Sequence, residues 1–97
     1  MRTMLRVTMG TEASNLAVKE GPLPKLVQQT IDLIQPEAMY FTSDRGDRTG
    51  CFFFDLRESS LVPQVAGPWF SATHAKIDFQ PVMTGDEPRA GLEKLGK

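Results

Sequence analysis

The strongest constraint on the fold of this chain is the order in which two periodicities follow each other. The first ten residues alternate in character, which is the period of a β-strand. From about residue 22 to 34 the apolar positions recur every three or four residues, which predicts a helix with one apolar stripe. Two β-rich runs, 38–42 and 49–56, predict a hairpin with a charged tip, a second helix follows Ser60, and a last strand runs from His74 or Ala75 to Met83.

Prolines and glycines indicate where these elements end. Gly21-Pro22-Leu23-Pro24 separates a short helical turn, capped by Asn15, from the main helix, and Pro36 ends that helix. Gly67-Pro68 should kink or split the second helix, because Pro68 cannot donate to the carbonyl four residues back. A short terminal helix is predicted from its starting residues, with Thr84 or Asp86 as the cap and Pro88 in the first turn.

The resulting order, β-α-β-β-α-β, is that of two βαβ halves. Such halves build a ferredoxin-like plait of the α+β class, in which a four-stranded antiparallel sheet of order 4-1-3-2 carries both helices on one face. A length of 97 residues leaves room for one domain, residues 1–97.

Apolar residues fall on both faces of the predicted sheet. We expect the helices to cover one set, which consists of Leu5, Val7, Phe52, Phe54, Ile77 and Phe79. The other face still presents Met4, Cys51, Phe53, Val82 and part of Met39, Tyr40 or Phe41. That is a large apolar surface for a soluble monomer, and a small chain has a modest core, so the pattern predicts a homodimer in which a partner sheet covers this face.

Composition narrows the class of function. The 11 Lys and Arg residues against 12 Asp and Glu argue against an electrostatic nucleic-acid or membrane partner. One cysteine excludes an intrachain disulfide framework, and one histidine with one cysteine cannot supply the usual three zinc ligands, so we expect no metal and no cofactor. The first residues lack the unbroken apolar stretch of a signal peptide, which predicts a cytoplasmic protein.

The element order and four short stretches resemble the dimeric α/β-barrel superfamily, and in particular small bacterial members with no known chemistry. The stretches are Leu23-Pro24-Lys25, Pro36-Glu37-Ala38-Met39-Tyr40-Phe41-Thr42, Gly67-Pro68-Trp69-Phe70 and Phe79-Gln80-Pro81-Val82-Met83. The resemblance implies that two ferredoxin-like subunits pack their sheet faces into a shared barrel. Because catalytic residues differ among branches of the superfamily, it assigns no residue a role.

The residue pattern itself suggests one polar constellation. With strand one between strands four and three, we expect Arg6 to lie between Asp78 and Asp55. An arginine between two carboxylates can orient an anionic or carbonyl ligand, or tune a carboxylate as a general base. A structural ion pair across the strands is the more ordinary interpretation.

Three further side chains are candidates. His74 is the only histidine, and is either a general acid or base, a haem ligand, or an ordinary surface residue between helix and strand. Tyr40 offers a phenol to a ligand or to a backbone carbonyl. Trp69 either lines a pocket for a planar ligand or packs in the core.

Taken together, these features predict a homodimeric barrel protein that binds a small apolar or planar molecule in the barrel cleft. The predicted ligand-binding residues are Met4, Arg6, Tyr40, Phe53, Trp69 and Asp78. The alternative, which the resemblance to the superfamily implies, is a cofactor-independent monooxygenase or isomerase acting on a small aromatic or polyketide-like substrate. Its catalytic candidates are Arg6, Asp55, His74 and Tyr40.

Overall fold

Four strands and three helices make up the part of the chain that the computed structural model describes, which is residues 1–10 and 22–95, with the side chains of Pro22 and Glu87 left aside. In chain order they are β1 (Arg2–Met9), α1 (Pro22–Ile34), β2 (Ala38–Asp44), β3 (Asp47–Asp55), α2 (Leu61–Ala72), β4 (Lys76–Pro81) and α3 (Asp86–Leu95). The helical turn predicted at Asn15 lies outside the described residues. None of the described helices is long and apolar enough to cross a membrane.

The strands form one antiparallel sheet of order β2-β3-β1-β4. This confirms the predicted α+β class and the predicted order 4-1-3-2, and it is compatible with a ferredoxin-like fold. β1 is a central strand, in which Leu5 lies opposite Phe52 on β3 and Phe79 on β4. Alternate residues of β1 are buried, as its period of two requires.

The core lies between α1, α2 and one face of the sheet. Its buried sheet residues include Leu5, Val7, Phe52 and Phe54, and the two helices add Leu26, Ile34, Val65 and Trp69. Ile77 and Phe79 are half-buried and pack against this cluster. All six residues that the periodicity assigned to the helix-covered face are therefore in or against the core. Complete burial of one such side chain contributes about 1.5–3 kcal/mol.

The helices follow the pattern with one exception. α1 has the predicted bounds and ends where Gln35 adopts a left-handed φ of 45° and donates its backbone N–H to the Ile31 carbonyl at 2.8 Å. α2 begins after Ser60, whose side chain makes no capping hydrogen bond. The helix continues through Pro68, so of the two predicted outcomes, a kink or a split, the split does not occur. Pro68 is exposed, which leaves the carbonyl of Gln64 free to bond water.

The β2–β3 hairpin is tighter than the sequence indicates. Both strands extend beyond the predicted runs, to Asp44 and from Asp47, and only Arg45 and Gly46 form the turn. Their φ angles of 52° and 85° are those of a type I′ turn, which matches the twist of the flanking strands. An arginine at the first of these positions is unusual, because a side chain other than that of asparagine or aspartate is costly at positive φ.

Replacing Arg45 by asparagine should therefore stabilise the protein. We expect Arg45→Asn to raise the free energy of unfolding by about 0.5–1 kcal/mol, because Asn-Gly is the preferred type I′ pair. Gly46→Ala should lower it by about 1 kcal/mol through its positive φ alone, since a Cβ there meets no atom within 4 Å. Urea denaturation measures both changes. Equal effects of the two substitutions would contradict the turn geometry.

Candidate functional site

Five of the six predicted ligand-binding residues share the sheet face that the helices leave uncovered, called here the open face. The strand pairing aligns Met4 with Phe53, and Arg6 with Cys51 and Asp78, while Tyr40 lies opposite Cys51 on the other side. These side chains therefore lie on two neighbouring rungs of the sheet, where a rung is a row of residues paired across the strands. The sixth residue, Trp69, is buried beneath the helices on the opposite face.

Arg6 lies near the centre of the open face, but its surroundings differ from the prediction. Asp78 is its cross-strand neighbour on β4, as expected. On β3 the neighbour of Arg6 is Cys51. The prediction that Asp55 would lie beside Arg6 was wrong, because Asp55 pairs with Arg2 at the end of the strand. Arg6 instead forms an ion pair with Asp44, at the end of β2. The two side chains are 35% and 43% exposed, so the pair contributes less than about 1 kcal/mol to stability and mainly orients the guanidinium group.

A charged hollow surrounds this ion pair at the turn end of the sheet. It has a volume of about 540 Å³ and is lined by Arg6, Thr8, Asp44, Arg45, Asp47, Lys76 and Asp78. Three cations and three carboxylates balance in this lining. The hollow therefore has no preference for an anionic or a cationic ligand, and it is suited to pairing with a surface that carries both signs of charge.

Aromatic side chains cover the neighbouring part of the open face. The ring centroids of Tyr40 and Phe53 are 6.1 Å apart at an interplanar angle of 75°, which is a favourable edge-to-face contact. Tyr40 is nevertheless 63% exposed, and Phe53 and Met4 are only half-buried. The open face is thus an apolar surface that no part of residues 1–10 and 22–95 covers.

The remaining catalytic candidates stand away from this group. Asp55 is exposed and accepts a hydrogen bond from the Met1 ammonium group at 2.8 Å. That ammonium group lowers the pKa of Asp55 below its ordinary value of 3.8, which favours the carboxylate and disfavours a role as an acid. His74 is exposed in the connection between α2 and β4. Of the four candidates, only Arg6 and Tyr40 lie on one rung, with Cys51 between them.

A second site, which the sequence interpretation missed, lies between the helices and the sheet. This interlayer cavity has a volume of about 350 Å³. Its lining is mostly apolar and comprises Val7, Met9, Leu23, Val27, Phe41, Thr42, Arg48, Thr49, Gly50 and Trp69. Such a volume lies within the range of small-molecule pockets, and Arg48 supplies an exposed cation beside the apolar part.

One hydrogen-bond chain fixes the aromatic wall of the interlayer cavity. The indole N–H of Trp69 donates to Thr30 Oγ1 at 2.9 Å, and that hydroxyl donates in turn to the Leu26 carbonyl at 2.8 Å. All three residues are buried. The polar edge of the indole is thus satisfied within the core, and the ring contributes apolar surface to the cavity.

The sequence contains one indication of this cavity. Gly50 interrupts a strand that is otherwise aromatic, and glycine inside a strand often marks a close approach of another group. A Cβ on Gly50 would lie 3.4 Å from the Phe41 ring, which crosses at this point and makes an edge-to-face contact with Phe52. Gly50 thereby allows Phe41 to form part of the cavity wall.

The described residues contain no group of three or more His, Cys, Asp or Glu side chains placed to hold a metal ion. No known protein family matches this chain, and no curated protein is similar to it in sequence.

The hydrogen bond between Trp69 and Thr30 predicts a specific loss of stability. Thr30→Val keeps the side-chain shape but leaves the buried indole N–H without an acceptor, so we expect the free energy of unfolding to fall by about 1–3 kcal/mol. Thr30→Ser keeps the hydroxyl and should lose much less. Thermal or urea unfolding measures the difference, and an equal loss in both variants would show that the methyl group matters more than the hydrogen bond.

Proposed function

We propose that this chain is a homodimer of the dimeric α/β-barrel type that binds a small, mainly apolar or planar molecule. The observation that carries the binding function is the interlayer cavity, with an apolar wall that includes Trp69 and a cation, Arg48, in its lining. The open face supports the homodimer.

The composition of the open face favours a homodimer. Met4, Phe53 and Tyr40 form an apolar strip on two central strands and one edge strand. Next to this strip lies the charged hollow with balanced charges. An apolar strip beside polar groups of both signs is the usual composition of a protein interface. A second copy offers the same composition, as a two-fold axis requires.

Sedimentation at micromolar concentration tests the homodimer. We expect about twice the chain mass of 10.8 kDa. Phe53→Glu should shift the protein to the monomer, because it places a charge in the centre of the apolar strip. The matched control is Phe70→Glu, since Phe70 is 60% exposed on α2, away from the open face. A monomeric parent protein would contradict the dimer, and equal dissociation of both variants would contradict the open face as its interface.

The shape and chemistry of the interlayer cavity favour it as the ligand site. The sequence interpretation placed the ligand in the cleft over the open face, but the cavity on the other side of the sheet is bounded by two layers of the protein. Its Trp69 and Phe41 rings suit a flat ring system. Arg48 suits a carboxylate or sulfonate on that ring. We therefore assign the ligand to the interlayer cavity. Of the six predicted ligand-binding residues, Trp69 is the one that lines this cavity.

Titration with an anionic aromatic probe, anilinonaphthalene sulfonate, tests the assignment. Trp69 is the only tryptophan of the chain, so binding in the cavity should quench its emission by energy transfer to the probe. Val27→Phe should weaken binding at least tenfold, because it fills the cavity. Arg48→Met should weaken it by about two- to fivefold, the effect of an exposed ion pair.

Two variants outside the cavity serve as controls. Val62→Phe makes the same change at a half-buried position of α2 that is not in the lining, and Arg45→Met removes a cation that is not in the lining. Both should bind the probe like the parent protein. If Val62→Phe weakens binding as much as Val27→Phe, the probe does not occupy the cavity. Consumption of oxygen or isomerisation of an aromatic ligand on mixing would instead support the enzymatic alternative.

A further inference from the structure

The outer side of β2 is an unprotected strand edge. β2 and β4 are the two edge strands of the sheet, and among the described residues β2 has no neighbour on its outer side. All seven β2 residues, Ala38–Asp44, are exposed or half-buried, so the helices do not extend over this strand. Its outward backbone N–H and C=O groups form a row that is a template for pairing with another strand.

β2 carries none of the features that normally prevent edge pairing. These features are a lysine or a proline in the strand, a bulge, or a charged side chain directed at the core. β2 contains no lysine or proline, it pairs with β3 continuously, and its one charged residue, Asp44, forms an ion pair with Arg6. β4 differs, because it begins at Lys76 and ends at Pro81. One edge of the sheet is thus protected and the other is not.

The hairpin turn determines which β2 residues present their backbone groups outward. A two-residue turn of this type joins a hydrogen-bonded pair, which here is Asp44 and Asp47. Hydrogen-bonded pairs alternate along an antiparallel ladder, so every second residue of β2 directs its backbone groups to β3. The residues between them direct theirs outward, and these are Met39, Phe41 and Ser43. Because they are two positions apart, their side chains all lie on the helix side of the sheet.

We propose that β2 pairs antiparallel with β2 of a second copy, about a two-fold axis that is perpendicular to the sheet and passes between the two Phe41 residues. Phe41 then pairs with Phe41, and Met39 with Ser43, so the outward residues of each copy meet those of the other in hydrogen-bonded pairs. Two sheets of four strands become one continuous sheet. The contact does not use the open face, so it goes beyond the homodimer proposed above and joins one such dimer to another.

The exposed ring of Phe41 supports a second copy as the partner. Phe41 is 61% exposed although it lies on the helix side, where its ring makes an edge-to-face contact with Phe52. Two Phe41 rings at directly opposite positions form an aromatic cross-strand pair, which is a stabilising combination. On the other face Tyr40 lies opposite Thr42, and no two like charges are opposite each other.

Charge complementarity at both ends of the strand favours the same pairing. Continued by one residue, it places the turn residue Arg45 of one copy beside Glu37 of the other. Glu37 is about half exposed and accepts from Arg2 through one carboxylate oxygen, and its second oxygen can accept from Arg45. This gives a partner to an arginine that stands at a costly positive φ of 52°.

Other arrangements of two β2 strands lack this complementarity. An axis moved to Tyr40 or to Thr42 no longer places Arg45 beside Glu37. A parallel pair sets every residue level with its own copy, and it therefore places Asp44 beside Asp44, which is destabilising.

The contact is small, which determines the concentration at which it forms. Seven residues of each copy take part, against about 20–30 on each side of a standard interface. We therefore expect pairing through β2 at roughly 100 micromolar and above, whereas the dimer through the open face is expected at micromolar concentration.

Disulfide formation tests the axis. In a Cys51→Ser background, which has no other cysteine, Phe41→Cys, Met39→Cys and Ser43→Cys are introduced one at a time. The proposed pairing places the two copies of residue 41 about 5.5 Å apart at Cα, which is within disulfide range, and the two copies of residue 39 or of residue 43 about 14 Å apart. On mild oxidation at roughly 300 micromolar, we expect covalent dimers from Phe41→Cys and at most about a fifth of that yield from either other variant. An equimolar mixture of Met39→Cys and Ser43→Cys should give the covalent heterodimer, which mass spectrometry identifies.

Each other result contradicts a stated part of the proposal. Equal yields from the three single variants show unspecific collision and overturn the pairing. Covalent dimers from Met39→Cys alone and Ser43→Cys alone, without the heterodimer, show parallel strands and overturn the axis. No covalent product in any sample overturns the β2 contact but leaves intact the open-face homodimer, which Phe53→Glu tests separately.

A charge exchange at Phe41 is a second measurement that does not depend on cysteine variants. The sedimenting mass of the parent protein should rise above that of the dimer at roughly 100 micromolar and beyond. Phe41→Lys and Phe41→Glu each place like charges opposite each other at the axis, so neither variant should show this rise. An equimolar mixture of the two should regain it, because lysine then faces glutamate.

Phe70→Lys is the matched control, because Phe70 is 60% exposed on α2, away from β2. It should behave like the parent protein. A parent mass that stays constant up to roughly 500 micromolar, or a mixture that behaves like the single variants, overturns the proposal.

Discussion

A single four-stranded sheet has two faces, and the two helices that pack on it cover only one of them. This constraint is visible in β1, where buried and half-buried residues alternate along the strand. The buried set, from Thr3 to Met9, meets the helices, and the other set faces outward with Met4 and Arg6. Residues of the first set form the core and the floor of the interlayer cavity, and residues of the second set form the open face.

One polar contact in the apolar core links the two helices that cover the sheet. Trp69 on α2 and Thr30 on α1 join the two helices through a buried hydrogen bond. Because both partners are satisfied there, the bulk of the indole fills part of the space above the sheet and leaves the rest as the interlayer cavity. Gly50 and Phe41 line this cavity on the side of the β2–β3 hairpin. The same interaction therefore contributes to stability and to the shape of the proposed ligand site.

Periodicity predicted the fold and the membership of each face, because both depend on local alternation. The bounds of α1, the strand order and the place of Met4 and Phe53 on one face agree with the sequence pattern. The register between β1 and β3 does not depend on local alternation. These strands are distant in sequence and are aligned by packing of residues such as Leu5 and Phe52. That is why Asp55 was misplaced and Asp44 was missed as the partner of Arg6. Nor does a one-dimensional pattern encode the gap between two layers, so the interlayer cavity was indicated only by Gly50.

The central position of β1 has a consequence for how the chain acquires its structure during synthesis. β1 leaves the ribosome before both of its neighbours in the sheet, which are β3, beginning at Asp47, and β4, beginning at Lys76. Until both have emerged, the apolar side of β1 has no sheet to join, and contacts of this kind between distant segments form slowly. The nascent chain thus exposes a strand with a strong tendency to pair until β3 and β4 have been synthesised. A general chaperone that binds extended apolar segments is expected to engage this strand before β4 completes the sheet.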